Sequence, residues 1–174
     1  MGLTNSMWST NRKKNMEEHL YAGEPIDILV SKLQQEKHLL QKRITNISLA
    51  KAINQGRASY KRDTTTHQYY AFCALWETKD PMWFELGDLW VDEESRRQGC
   101  AGSVFRYCLS RLPKGAGVFL ITRELSVVKL ARGLGWQLER NDWTQSKFWT
   151  RIAEPWDRYE TGLSPEGVLM FSMP

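Results

Sequence analysis

The 174-residue sequence predicts a mixed α/β fold, and three observations carry that reading. Apolar residues switch between helical spacing and short, strand-like runs along one chain. The glycine-bearing stretch RRQGCAGS, Arg96–Ser103, lies between an apolar run and a helical pattern. Seven of the eight tryptophans fall from Trp76 onward, which places the ordered core in that part.

Residues 1–22 show no periodicity and read as a loose arm, with residues 23–174 as one domain. Glu24-Pro25 opens a helix, proline being harmless in a first turn. Ile26, Leu29, Val30, Leu33, Leu40 and Ile44 then mark its apolar face. Ser48 is a candidate cap for a second helix running to Asn54, which Gly56 stops. The polar segment Arg57–Thr66 reads as a loop.

His67–Glu77 is aromatic and apolar, as expected of a strand covered on both faces, and Met82–Val91 reads as the next strand. Val104, Phe105, Cys108, Leu109 and Leu112 recur at helical spacing, and Pro113, Gly115 and Gly117 end that helix. Val118–Thr122 is a short buried strand. A helix with Val127, Leu130, Ala131 and Leu134 inward follows, stopped by Gly135. Ser146–Ile152 and Val168–Phe171 are the last strand candidates.

The composition, 41% hydrophobic and 25% charged, is that of an ordinary globular chain. Its longest apolar runs are far too short to cross a bilayer. Residues 1–18 are too polar for a secretory leader, and Cys73, Cys100 and Cys108 lack metal-ligand spacing. A reducing, cytoplasmic setting is the expectation. Residues 1–62 hold 11 Lys/Arg against 5 Asp/Glu, an excess without a long basic run, which fits a solvated face better than a nucleic-acid contact. Met-Gly-Leu-Thr-Asn-Ser matches an N-myristoylation pattern at Gly2, a six-residue match of a kind common by chance.

The junction at Arg96–Ser103 holds the residue types that a pyrophosphate needs. A helix start presents unpaired N–H groups and a partial positive charge. Gly99, Ala101 and Gly102 let an anion approach the backbone, Arg96 and Arg97 supply charge, and Ser103 offers a hydroxyl. Gln98 and Cys100 complete the turn. The stretch is neither a Walker loop nor a dinucleotide fingerprint.

ELGDLWVDEESRRQGCAGSVF resembles the acetyl-CoA-binding motif of the GCN5-related N-acetyltransferases, in which Arg or Gln is followed by two residues, Gly, one residue, then Gly or Ala. Downstream, ELSVVKLARGLGWQLE resembles that family's next helix, ending in a Gly-aromatic pair, here Gly135-Trp136. The resemblance covers residues 67–140. It implies a mostly antiparallel central sheet flanked by helices, with acetyl-CoA as co-substrate and direct transfer to an amine. It further implies that Leu89, Trp90 and Val91 pair with the pantetheine arm through their backbone, and that Arg96 through Ser103 hold the pyrophosphate.

An attacking amine must lose a proton, and the candidates for the base are Glu85 and Asp88, three positions apart and so on opposite faces of a regular strand. Glu85 stands six residues before Val91, similar to the base of the family's histone-type members. The tyrosine that usually protonates the leaving thiolate is replaced by Ala131, and Glu124 stands where many members carry asparagine. Cys100, at a helix start beside two arginines, is expected to have a lowered pKa, but no histidine is near it in sequence, and it reads as a small residue filling the turn rather than a nucleophile. Because Ala131 stands in place of that tyrosine, the rival to an enzyme is an acyl-CoA-binding module without turnover. The acceptor is open among small molecule, protein and nucleic-acid-associated amines, and a homodimer is compatible with the sequence. In this family the acceptor pocket comes from the first two helices and last two strands, here Ile26–Gly56 and Trp149–Gly167.

Overall fold

A computed structural model describes residues 26–36, 39, 43–138 and 168–172. The arm at 1–22, the strand expected at Ser146–Ile152 and the expected acceptor-pocket segment Trp149–Gly167 lie outside the described residues. The elements are α1 (Ile26–Gln34), α2 (Asn46–Asn54), β1 (Ala58–Arg62), β2 (Tyr69–Glu77), β3 (Trp83–Val91), α3 (Cys100–Ser110), β4 (Gly117–Thr122), α4 (Leu125–Gly133), β5 (Gln137–Leu138) and β6 (Val168–Ser172). The six-stranded sheet has the order β1-β2-β3-β4-β6-β5, with β3/β4 parallel and β1/β2, β4/β6 and β5/β6 antiparallel. This is the mixed, mostly antiparallel sheet with helices that was expected. No described helix is long and apolar enough to cross a membrane. Two compact units divide the chain: one of residues up to Ala74 with Asp88–Cys108, the other of Leu75–Gly87 with Leu109 onward.

In the first unit, α1 buries Leu29, Val30 and Leu33 along one stripe. It stops at Gln34 instead of reaching Ile44, because residues 34–38 are all polar and no apolar contact rewards another turn. Ile44 is buried outside the helix, and its carbonyl accepts from Gln34 Nε2 at 2.8 Å. The cap of α2 is Thr45, three residues ahead of the expected Ser48. Thr45 Oγ1 accepts from Ser48 N, and Ser48 Oγ accepts from Thr45 N, a reciprocal capping box. At the far end Gly56 has φ 67°, and its N–H bonds Ile53 O while Arg57 N bonds Ala52 O, both at 2.8 Å. That double bond is the Schellman stop, which favours glycine at the left-handed position.

The expected loop at Arg57–Thr66 instead contains β1. Ala58, Ser59 and Tyr60 are buried, and Ala58–Lys61 pair with Ala74–Ala71 of β2. The strand owes its conformation to that cross-strand burial, so its own polar composition misleads. Cys100, Val104, Phe105 and Cys108 form the buried stripe of α3, and Cys108 Sγ donates to Cys73 O at 3.3 Å.

In the second unit, Trp83 opposes Gly117 at the start of the parallel ladder. A Cβ at Gly117 would stand 2.5 Å from the Trp83 ring, so the indole has displaced any side chain there. Strand β4 buries Val118, Phe119 and Leu120 and pairs with β6 over five positions. The buried residues of α4 are Val128 and Ala131; Leu134, expected inward, is exposed because the helix ends at Gly133 and the stripe turns by one residue. Gly135 (φ 82°) bonds Arg132 O and the buried Trp136 bonds Ala131 O, a second Schellman stop where the sequence placed one.

Candidate active site

The residues from Asp88 to Ser103 belong to the first unit and form a strand end, a single 3-10 turn at Glu93–Ser95, and the start of α3. Asp92 N donates to Tyr70 O at 2.9 Å, and Ser95 N to Asp92 O at 2.9 Å, so the chain leaves the sheet under backbone control. Arg96 is extended, Arg97 has φ 63° and Gly99 has φ 80°. Left-handed residues on either side of Gln98 reverse successive peptide planes, the backbone arrangement from which anion-binding concavities are built.

Helix geometry leaves the N–H groups of Cys100, Ala101 and Gly102 ahead of the first backbone bond, which runs from Ser103 N to Gly99 O at 3.0 Å. No atom lies within 4 Å of where a Gly99 Cβ would be, so this side of the turn is open. Arg96, Arg97 and Gln98 are exposed, and Ala101, Gly102 and Ser103 are half-buried. Arg96 Nε is tied to Val91 O at 3.3 Å and Gln98 Nε2 to Glu94 O at 3.0 Å, which anchors the turn to the strand before it. An anion would meet backbone N–H groups, two arginines and a helix start together.

Arg106, which the sequence reading did not single out, adds a third cation. Its guanidinium would come within 3.3 Å of a Cβ at Gly102, so it lies across the first turn of α3. The signal was present in the i, i+4 spacing from Gly102. Cys100 corrects an expectation. Its side chain is buried in the first unit, and that burial pushes the thiol pKa up, with Lys61 pulling less strongly the other way. Desolvation of the thiolate therefore outweighs the attraction of Lys61 and the backbone hydrogen bond. Tyr70, beside it, is pushed up to about 12 by burial first and then by Cys100 and Asp63.

At the strand end, α1 and the segment after it hold alternate side chains. Arg43 Nε donates to Asp88 Oδ2 at 2.6 Å, with both side chains 2% exposed. Trp90 is buried and its Nε1 donates to Glu36 Oε1 at 2.8 Å, while Lys32 Nζ sits 5.2 Å from its ring centre and 3.0 Å from Asp92 Oδ1. Leu89 and Val91, in between, are half-buried. Asp88 also has φ 54°, a left-handed residue in mid-strand. Glu85 lies in the second unit, buried on β3 and opposite Phe119 in the parallel ladder. Ala131, fully buried in α4, belongs to that unit too.

No protein-family model and no curated protein sequence matches the chain. Solved structures do. N-acetylglutamate synthase from Neisseria gonorrhoeae, complexed with coenzyme A and N-acetyl-glutamate, aligns with a TM-score of 0.61 at 15% identity over 90% of this chain; the match spans 34% of that protein, about a third of its length. A GNAT-family acetyltransferase from Staphylococcus aureus aligns at 0.59 and 9% identity, covering 91% of this chain and 98% of that one. The phosphinothricin acetyltransferase from Sinorhizobium meliloti, in complex with AcCoA, aligns at 0.53 and 11% identity, covering 72% and 77%. With the strand–turn–helix junction in place on a mixed sheet of this order, the fold of the chain is that of the GCN5-related N-acetyltransferases.

Proposed function

We propose that the chain is an N-acetyltransferase that takes acetyl-CoA as co-substrate and passes the acetyl group directly to an amine. The observation that carries this reading is the turn at Arg96–Gly99: two left-handed residues, an open side at Gly99 and exposed arginines at the start of α3. That arrangement suits a pyrophosphate, and the Neisseria and Sinorhizobium proteins are described with CoA or AcCoA bound. In the proposal, the N–H groups of Cys100–Gly102 with Arg96, Arg97 and Arg106 hold the diphosphate, Ser103 and Gln98 border it, and the backbone of Leu89–Val91 pairs with the pantetheine arm. Bound acetyl-CoA supplies an activated thioester.

The chain's own chemical task is to relieve the acceptor of a proton. Glu85 takes it, so that the nitrogen lone pair forms the N–C bond as the thioester C–S bond breaks, and CoA leaves as the thiolate, which takes its proton from water. Asp88 is assigned a conformational part in place of a catalytic one, since its carboxylate is held by Arg43. The acceptor is an amine whose class stays open among small molecules, peptides and nucleic-acid-associated groups.

Calorimetric titration with acetyl-CoA tests the cradle. Gly99→Asn keeps a residue that tolerates positive φ and adds no charge, and it should bind within about tenfold of wild type. Gly99→Asp sets a carboxylate among the phosphate oxygens and should weaken binding by about a hundredfold or more at low salt. Equal affinities for the two variants and wild type would sink the phosphate assignment. A second reading is favoured by Ala131, which carries no proton to give: the chain then binds acyl-CoA without turnover. CoA release measured against pooled amines and peptides separates them, since binding with no release for any acceptor identifies the module.

A further inference from the structure

Asp88 is an anomaly in its strand. It is neither glycine nor asparagine, it sits in mid-strand at φ 54°, and its carboxylate is buried. A left-handed residue with a Cβ is strained, and a buried carboxylate without a counter-charge is worse, so the two features need a common cause. Arg43 supplies it. The guanidinium reaches Asp88 Oδ2 at 2.6 Å from a segment that is itself pinned on several sides. Arg43 O accepts from Ser48 Oγ and from Thr45 N at 3.1 Å, inside the capping box of α2, and the next carbonyl, Ile44 O, accepts from Gln34 Nε2 at the end of α1. The arginine backbone is thus fixed by two helix ends, and the strand conforms to it.

We propose that Arg43 is a positioning residue: its ion pair with Asp88 holds the strand in a left-handed turn and so sets the direction of the Leu89–Val91 backbone. Glu36 and Lys32 then steady the same segment through Trp90 and Asp92, two and four residues further on. Side chains at 88, 90 and 92 are all gripped by α1 or the segment after it, which leaves the peptide groups between them aimed by protein contacts before any ligand arrives. Pre-aiming of this kind removes an ordering cost from binding. The inference rests on the proposal that Leu89–Val91 pair with acetyl-CoA, and it adds a residue 45 positions upstream to that site.

Two double variants separate the left-handed turn from the ion pair. Arg43→Met with Asp88→Gly removes both charges and leaves a residue at home at positive φ. Arg43→Met with Asp88→Val removes the same charges and installs a residue that refuses that conformation. Circular dichroism and thermal unfolding report folding, and calorimetry with acetyl-CoA reports the site. The glycine variant should bind within about threefold of wild type and the valine variant at least about tenfold more weakly, with both folded. If the valine variant does not fold, Asp88→Ala in the same background replaces it, and the same order of affinity, glycine ahead of alanine, is expected. Equal affinity for the glycine and valine (or alanine) variants overturns the inference, whether both match wild type or both fall. A wild-type protein that does not bind acetyl-CoA overturns the functional proposal itself, and this inference with it.

Discussion

Glu85 and Asp88 are both buried on β3, and the Asp88 carboxylate is held by Arg43 at 2.6 Å. From sequence Asp88 stays a second candidate behind Glu85, because Arg43 and Asp88 are 45 positions apart and only folding brings them together. With Asp88 engaged by Arg43, the proposal rests the proton transfer on Glu85. Glu85→Gln keeps size and shape while removing the base, and kcat should fall by about a hundredfold to ten-thousandfold with acetyl-CoA affinity unchanged. Steady-state kinetics beside calorimetry checks this; an unchanged kcat removes Glu85 from the mechanism. A second residue-level prediction concerns pH. Tyr70 titrates at about 12 in the folded chain against an ordinary 10, so the folded state retains a proton that the unfolded state releases. Its contribution is present below pH 10 and is lost as pH rises toward 12. Cys100, also raised by burial, adds to the same trend beginning nearer pH 9. The urea midpoint should therefore drop between pH 9 and 12, and Tyr70→Phe should flatten the upper part of that fall. An identical pH profile in the variant would show that another group is responsible.

Elements whose signals are local were legible. The turn before α3, the stripe Val104–Phe105–Cys108 and the glycine stops at Gly56 and Gly135 all rest on spacing within a few residues, and each appears where the spacing puts it. Elements that depend on a partner strand were not. β1 is half polar and becomes a strand only because β2 covers Ala58, Ser59 and Tyr60. The length of α1 failed for the opposite reason, an apolar residue at 44 that belonged to the core but not to the helix. Gly117 shows an element junction under a purely steric rule. Its Cβ position lies 2.5–2.6 Å from three Trp83 ring atoms, so Gly117→Ala forces the β3/β4 pairing apart or expels the indole. A loss of about 1–3 kcal/mol is expected, readable in chemical denaturation, and Trp83→Leu in the same chain should recover part of it. No recovery would mean that glycine is required there for its backbone alone.

On the scale of the molecule, the sheet order and the mixture of one parallel with three antiparallel described pairings match the class that alternating periods announced. The turn proposed to bind the donor was legible because it is contiguous in sequence, Arg96 through Ser103. The expected acceptor side, Ile26–Gly56 with Trp149–Gly167, was not, because it would draw on segments far apart in sequence and the second of them lies outside the described residues. Charge did not resolve it either: the basic excess of residues 1–62 includes Arg43, which is internally neutralised, and Lys32, which is paired with Asp92. Counting cations along a chain overstates what is left to attract a partner.

All three cysteines of the chain are free thiols and all three are buried. Cys73 and Cys108 are fully covered in the first unit, and burial raises the Cys73 thiol well above its ordinary range. A soluble thiol-alkylating reagent therefore finds no ready thiol on the native surface and must wait for the protein to open. Each thiol becomes a clock. Labelling rates followed by mass spectrometry should be slow, should differ between Cys100 at the helix start and Cys73 inside the sheet, and should converge only when the whole first unit unfolds. Saturating acetyl-CoA, if held at the turn, should slow Cys100 most, giving a footprint of ligand binding that needs no mutation and no acceptor.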